Sequence, residues 1–192
     1  MDKEQLLKAL EVFSEKITEN KDHLSELDTP IGDGDHGNNM ARGVNALKES
    51  LESSDPDSVD EVFKLAAMAL MGKVGGASGP LYGSAMLAMS KKAQDTTDLA
   101  ELVSEAAESI KKRGKSDVGD KTMVDVWEPV VQLIKDDEFN KEAVAQLAED
   151  TKDLKAKKGR ASYLGERSVG HIDPGAKSSQ YFFEALIEAD IH

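Results

Sequence analysis

Apolar side chains recur at helical spacing through most of the chain. Leu6, Leu10, Phe13 and Ile17 form one stripe, and Met40, Val44, Leu47 and Leu51 repeat it. Ser58 with Glu61 predicts a capping box ahead of Val62, Leu65 and Ala69. Gly79-Pro80 opens a segment rich in Ala, Met and Leu that ends near Lys92. Asp98 with Glu101 predicts a start for a helix through Leu99, Val103, Ala106 and Ile110, with Gly114 as its stop. Thr122 to Lys135 is apolar enough for a buried helix that starts late or kinks at Pro129. Asn140 starts a polar helix through Val144, Leu147, Thr151 and Leu154, which Gly159 ends. Ser178 or Ser179 caps a last helix carrying Phe182, Phe183, Leu186 and Ile187. The pattern therefore predicts an all-α chain of eight helices, since no β-branched run alternates for long enough to make a strand. Met40, Met68, Met71, Met86, Met89 and Trp127 occupy helical positions and are expected in the core.

Glycine and aspartate collect between these helices. The stretches are residues 28–37, 75–83, 118–122 and 159–175. Three lead directly into a predicted helix and the fourth nearly so. Helix N-termini carry unpaired N–H groups, so such junctions suit anions. Glycines gathered at helix ends predict one binding rim at one end of a bundle.

Composition narrows the class. A chain of 192 residues is expected to form one domain, residues 1–192, with no linker dividing it. A net charge of −13 opposes nucleic acid and anionic membranes as partners. With no cysteine, disulfides, thiolate metal sites and thiol nucleophiles are excluded. The N-terminal residues lack a signal-peptide core, and the longest apolar run, Leu65 to Met71, is too short to span a bilayer. A cytoplasmic location is expected.

The strongest chemical feature is Asp28, Asp33 and Asp35 on one Gly-rich loop, with His36 and Gly37 following. Asp-Gly pairs are ordinary turn formers and caps. Three carboxylates crowded together repel, however, and a hard divalent cation relieves them. Residues 33 and 35 share a parity, so an extended backbone would project both to one side. No EF-hand spacing is present, and without Cys and with scattered His zinc is disfavoured, which points to Mg²⁺. Gly32, Gly34 and Gly37 match the dinucleotide fingerprint literally, but no strand precedes them. Gly114-Lys115-Ser116 ends like a P-loop, but Ser109 stands where its first Gly belongs. Lys121, Arg160 and Lys177 are candidate phosphate contacts or simply solvated charges. His36 is the histidine most tied to the acidic loop, while His171 is ambiguous and His23 and His192 read as surface residues.

GDGDHGNNM, GGASGPLYG, GDKTMVD and KGRASYLGERSVGHIDPGA, in this order, resemble the nucleotide-binding domain of the dihydroxyacetone kinases. The likeness runs from Asp28 nearly to the C-terminus. Because the chain carries this domain alone, it is similar to the free-standing ADP-binding (L) subunits of the phosphotransferase-system-dependent kinases. The resemblance implies an eight-helix antiparallel up-and-down barrel with the nucleotide at one end. It implies Mg²⁺ held by Asp28, Asp33 and Asp35, and phosphates against His36, Gly37, Asn38 and Asn39. It also implies nucleotide contacts at Ala77, Ser78, Gly119, Met123 and Arg160, and at Asp173, Pro174 and Gly175. The implied mechanism is a relay. Captive ADP becomes ATP by phosphoryl transfer from a phosphohistidine on a multiphosphoryl (M) subunit, then passes the group to dihydroxyacetone on a substrate-binding (K) subunit. No covalent catalytic residue is expected on this chain. A regulator and a homodimer are further partners to consider. The alternatives are a kinase domain that exchanges ATP and serves another acceptor, such as a fatty acid on a partner protein, and a nucleotide-loaded regulatory module. The simplest alternative is a bundle whose Gly-Asp loops are connectors.

Overall fold

A computed structural model describes residues 1–192. The chain forms α1 (Lys3–Glu19), α2 (Lys21–Asp28), α3 (His36–Glu52), α4 (Val59–Lys73) and α5 (Ser78–Lys92). There follow α6 (Leu99–Gly114), α7 (Val124–Lys135), α8 (Lys141–Asp150) and α9 (Pro174–Glu188). Two 3₁₀ segments, Thr151–Asp153 and Arg160–Ser168, lie between α8 and α9, and the second is kinked at Gly165.

Eight of these helices close a ring. α1 packs on α3, each later helix packs on the next, and α9 returns to α1. The short α2 stands outside the ring, against the ends of α3 and α9. From α3 to α8 the connections are short, which makes successive helices run antiparallel. The all-α expectation therefore holds, and ring closure supplies the barrel. No helix is long and apolar enough to cross a membrane.

Helix starts follow local chemistry. Asp2 and Gln5 form a reciprocal capping box. Asp98 accepts from the Glu101 amide at 2.9 Å, and Asn140 from the Ala143 amide at 2.9 Å. The stripes point inward and fill the ring with aromatic side chains. Trp127 stacks on Phe182 at 5.2 Å between centroids and meets Phe183 edge-on at 4.8 Å. Such contacts add about 0.5–1.5 kcal/mol per pair beyond area burial.

Several boundaries differ from the sequence reading. α2 is too short and polar to show a period, since it buries just Leu24 and Asp28. α8 ends at Asp150, because Thr151 turns into the 3₁₀ segment rather than continuing to Gly159. α9 starts at Pro174 with Asp173 as its cap, and Ser178 and Ser179 lie inside it. Gly114 is the last residue of α6, and the left-handed turn falls on Lys115. α7 begins at Val124 and runs through Pro129. The Ser58 hydroxyl turns to Asp60, so the predicted capping box does not form. Met68 and Met71 face solvent on α4, 66% and 45% exposed, rather than the core.

Candidate functional site

The acidic loop is folded by Asp28. Its carbonyl accepts from the amides of Ile31 and Gly32, at 3.2 and 2.6 Å. Its carboxylate accepts from the amides of Asp35 and His36 at the start of α3, at 3.0 and 3.3 Å. A Cβ on residue 32 would stand 2.0 Å from Asp28 Oδ1, so Gly32 is what lets the carboxylate lie under the loop. Gly34 then turns the chain at φ +75°. Carboxylate oxygens of Asp28, Asp33 and Asp35 come within 4.8 Å of one another. The convergence comes from this turn and not from an extended strand, as the parity of residues 33 and 35 had suggested. Arg160 Nη1 sits 2.8 Å from Asp33 Oδ2 and partly offsets the crowded charge. Three hard oxygen donors with no nitrogen or sulfur among them fit a hydrated Mg²⁺.

Beside this loop lies a cavity of about 480 Å³, within the range of small-molecule sites. The starts of α3, α5 and α9 and the end of α6 border it, so alternate helices present like ends. Asp28, Asp33 and Asp35 line it, with His36 and Asn39 from α3. Ala77 and Ser78 come from the second glycine loop, and Met123 from the entrance to α7. Arg160 also lines it, as do Asp173, Pro174 and Gly175 at the entrance to α9. Three expected site residues do not line it. Gly37 is buried against α2, where a Cβ would stand 1.7 Å from the Lys21 carbonyl oxygen. Asn38 is exposed. Gly119 lies in the neighbouring loop, where its amide donates to Asp125 Oδ1 at 2.5 Å.

Residues 30–188 match the DAK2 domain family. The chain belongs to this family. It is 57% identical over 176 residues to the Lactococcus lactis PTS-dependent dihydroxyacetone kinase, ADP-binding subunit DhaL, covering 92% of each chain. It is 40% identical over 181 residues to the Escherichia coli PEP-dependent dihydroxyacetone kinase, ADP-binding subunit DhaL, covering 86% of each. The dihydroxyacetone kinase of C. freundii in complex with AMP-PNP and Mg²⁺ superposes with a TM-score of 0.77 at 25% identity. That likeness covers 95% of this chain and 34% of the C. freundii chain, so the chain spans about a third of that kinase.

In this DAK2 domain the walls of the cavity are joined by a buried polar chain. His36 Nδ1 shares a 3.2 Å hydrogen bond with the Ser78 hydroxyl, and Nε2 a 3.0 Å bond with the Ser178 hydroxyl. Tyr82 bonds both Ser178 and Ser179, and Trp127 Nε1 donates to Ser179 at 2.9 Å. The entrances of α3, α5 and α9 are thereby locked together over the aromatic core. Burial lowers the His36 pKa to about 4, so the ring is neutral at physiological pH. At the entrance to α9, desolvation pushes Asp173 up to about 7, against the pull of the Ala176 amide.

Sequence reasoning missed part of the site. Arg113, Ser116, Thr122 and Lys158 also line the cavity. Arg113, Lys158 and Arg160 bring cations to a lining that also carries Asp28, Asp33, Asp35 and Asp173. Asp125 is buried and folds the GDKT loop by accepting from the Gly119 and Thr122 amides. Its position three residues after Thr122 was the available signal. Lys121 is buried and not solvated, and Lys177 reaches Gln180 instead of the cavity.

Proposed function

We propose that this chain is one nucleotide-binding domain, the ADP- and Mg²⁺-binding subunit of a PEP-dependent dihydroxyacetone kinase. The observation that carries this reading is the convergence of Asp28, Asp33 and Asp35 at the mouth of a cavity bordered by several helix N-termini. Mg²⁺ held there would neutralise charge, and bound ADP would supply the phosphoryl carrier between a phosphohistidine donor and dihydroxyacetone.

The chain's own residues have distinct duties. Asp28, Asp33 and Asp35 would hold the metal, and Asp28 already fixes the α3 entrance through two amides. The first-turn amides of Gly37 and Asn38 have no intrahelical acceptor, but neither residue lines the cavity, so at this helix start the phosphates are given to His36 and Asn39. Ala77, Ser78 and Met123 shape the wall, and Arg160, paired with Asp33 at the cavity, would be within reach of phosphate oxygens. Gly119 acts by holding the loop that carries Met123. His36 orients the walls as a neutral ring, and no side chain of this chain is assigned a covalent step. The substrate-binding and multiphosphoryl subunits would supply the acceptor, its base and the phosphohistidine, in the cytoplasm. A homodimer or a regulator would be additional to this assembly.

Purification without added nucleotide, followed by denaturation and assay of released adenine nucleotide and magnesium, tests the reading. Near-stoichiometric ADP and Mg²⁺ are expected, with conversion of that ADP to ATP by a phosphohistidine donor. Free exchange of ATP would favour a kinase domain for another acceptor. A chain that binds no ADP even with Mg²⁺ present would refute the proposal.

A further inference from the structure

Lys121 is among the largest fully buried side chains, at 1% exposure, and its backbone adopts a left-handed φ of 62°. Its ammonium donates to two carbonyl oxygens, that of Thr151 at 2.6 Å and that of His171. Those carbonyls belong to the turn after α8 and to the segment leading into α9. The same Thr151 accepts from the Asp173 amide through its hydroxyl, at 3.0 Å. On the other side, Asp125 clamps the loop around Lys121 through the amides of Gly119 and Thr122. One buried cation thus ties the α7 entrance to the segment that ends at Asp173, Pro174 and Gly175, a wall of the cavity.

Burying an ammonium is costly, and an apolar side chain often replaces a buried charge without loss of stability. A cation used merely to hold the fold together would be a poor solution. The geometry points to Lys121 as a positioning residue for nucleotide retention: it fixes the Asp173–Gly175 wall against the entrance of α7. This rests on the ADP-binding reading above.

The test uses the full chain and ADP with Mg²⁺, well below the unfolding midpoint. Lys121→Met is expected to raise the ADP dissociation rate at least tenfold. Mn²⁺ binding without nucleotide, read by electron paramagnetic resonance, is expected to stay within twofold, because the Asp28 loop is untouched. A merely structural staple would lower Tm and leave the dissociation rate within twofold, and that result overturns the proposal. Should Lys121→Met not fold, Lys121→Gln, whose arm is shorter and uncharged, must raise the same rate, and an unchanged rate overturns the proposal. Since the chain has no cysteine, Lys121→Cys can be aminoethylated at that site alone while unfolded and then refolded. The aminoethyl adduct is expected to restore slow dissociation and a propyl adduct is not. Equal rescue by the propyl adduct also overturns the proposal. A wild-type chain that retains no ADP refutes the nucleotide reading and this proposal with it. Wild-type retention with an unaltered variant rate refutes the proposal alone.

Discussion

Replacing Asp33 by asparagine separates metal binding from the stability of the fold. Unit charges no more than 4.8 Å apart, as oxygens of the three carboxylates are, repel by roughly 3.5 kcal/mol or more at an effective dielectric of about 20. Asp33→Asn removes two of the three repulsions and also the attraction to Arg160. The Asp33 and Arg160 side chains are 38% and 71% exposed, so solvent screens both effects. The metal-free chain is therefore expected to change by no more than about 1 kcal/mol. For a chain of this size that is a shift of about 2–4 °C in Tm. The metal term behaves differently. At a Mg²⁺ concentration about 100 times Kd, the wild type gains about 2.7 kcal/mol. This corresponds to roughly 5–10 °C. A tenfold weaker site, as expected after losing one carboxylate, gains about 1.4 kcal/mol at the same concentration. Scanning calorimetry of the nucleotide-free chain with and without Mg²⁺ reads both quantities. Equal Mg²⁺ shifts in the two proteins would refute the metal assignment. A metal-free loss of many degrees would show that Asp33 holds the loop together by itself.

The remaining predictions concern packing and protonation. Ser179→Ala leaves the Trp127 indole N–H without its acceptor and should cost about 1–3 kcal/mol in urea unfolding. Gly37→Ala would drive a methyl into the Lys21 carbonyl, which cannot move away without displacing α2. It should cost more than about 2 kcal/mol at equilibrium, as overpacking against backbone does. Asp173 is raised in the folded state, from 3.8 to about 7. Its stabilising contribution is fully present below pH 3.8 and is lost as pH rises through about 7. Asp173→Asn keeps an N-cap acceptor and should gain stability relative to wild type across that window, and parallel pH–stability curves for the two proteins would contradict the burial argument.

The outer helices were legible because their signal is contiguous. The stripe of α1, the cap of α6 at Asp98 and the cap of α8 at Asn140 each involve residues within one or two turns. The acidic loop was legible for the same reason, since its three carboxylates lie within eight residues. Met68 and Met71 were misread because an apolar residue at helical spacing does not say which side has a neighbour. α2 was missed because eight residues carry too little period.

What the sequence by itself determined is the helical class, most helix starts, the acidic loop and the family to which its motifs belong. Glycines at helix ends pointed to one shared rim and the family resemblance to a barrel, but tertiary structure decided how the ring closes and which residues of the separated loops line the cavity. It also decided that His36 meets Ser178 across 142 residues, and that Lys121 turns inward to meet His171 across 50. Period and capping depend on neighbours along the chain, where geometry follows from the backbone. The direction of a loop lysine, or the partner of a buried imidazole, depends on which distant surface packs there and excludes water.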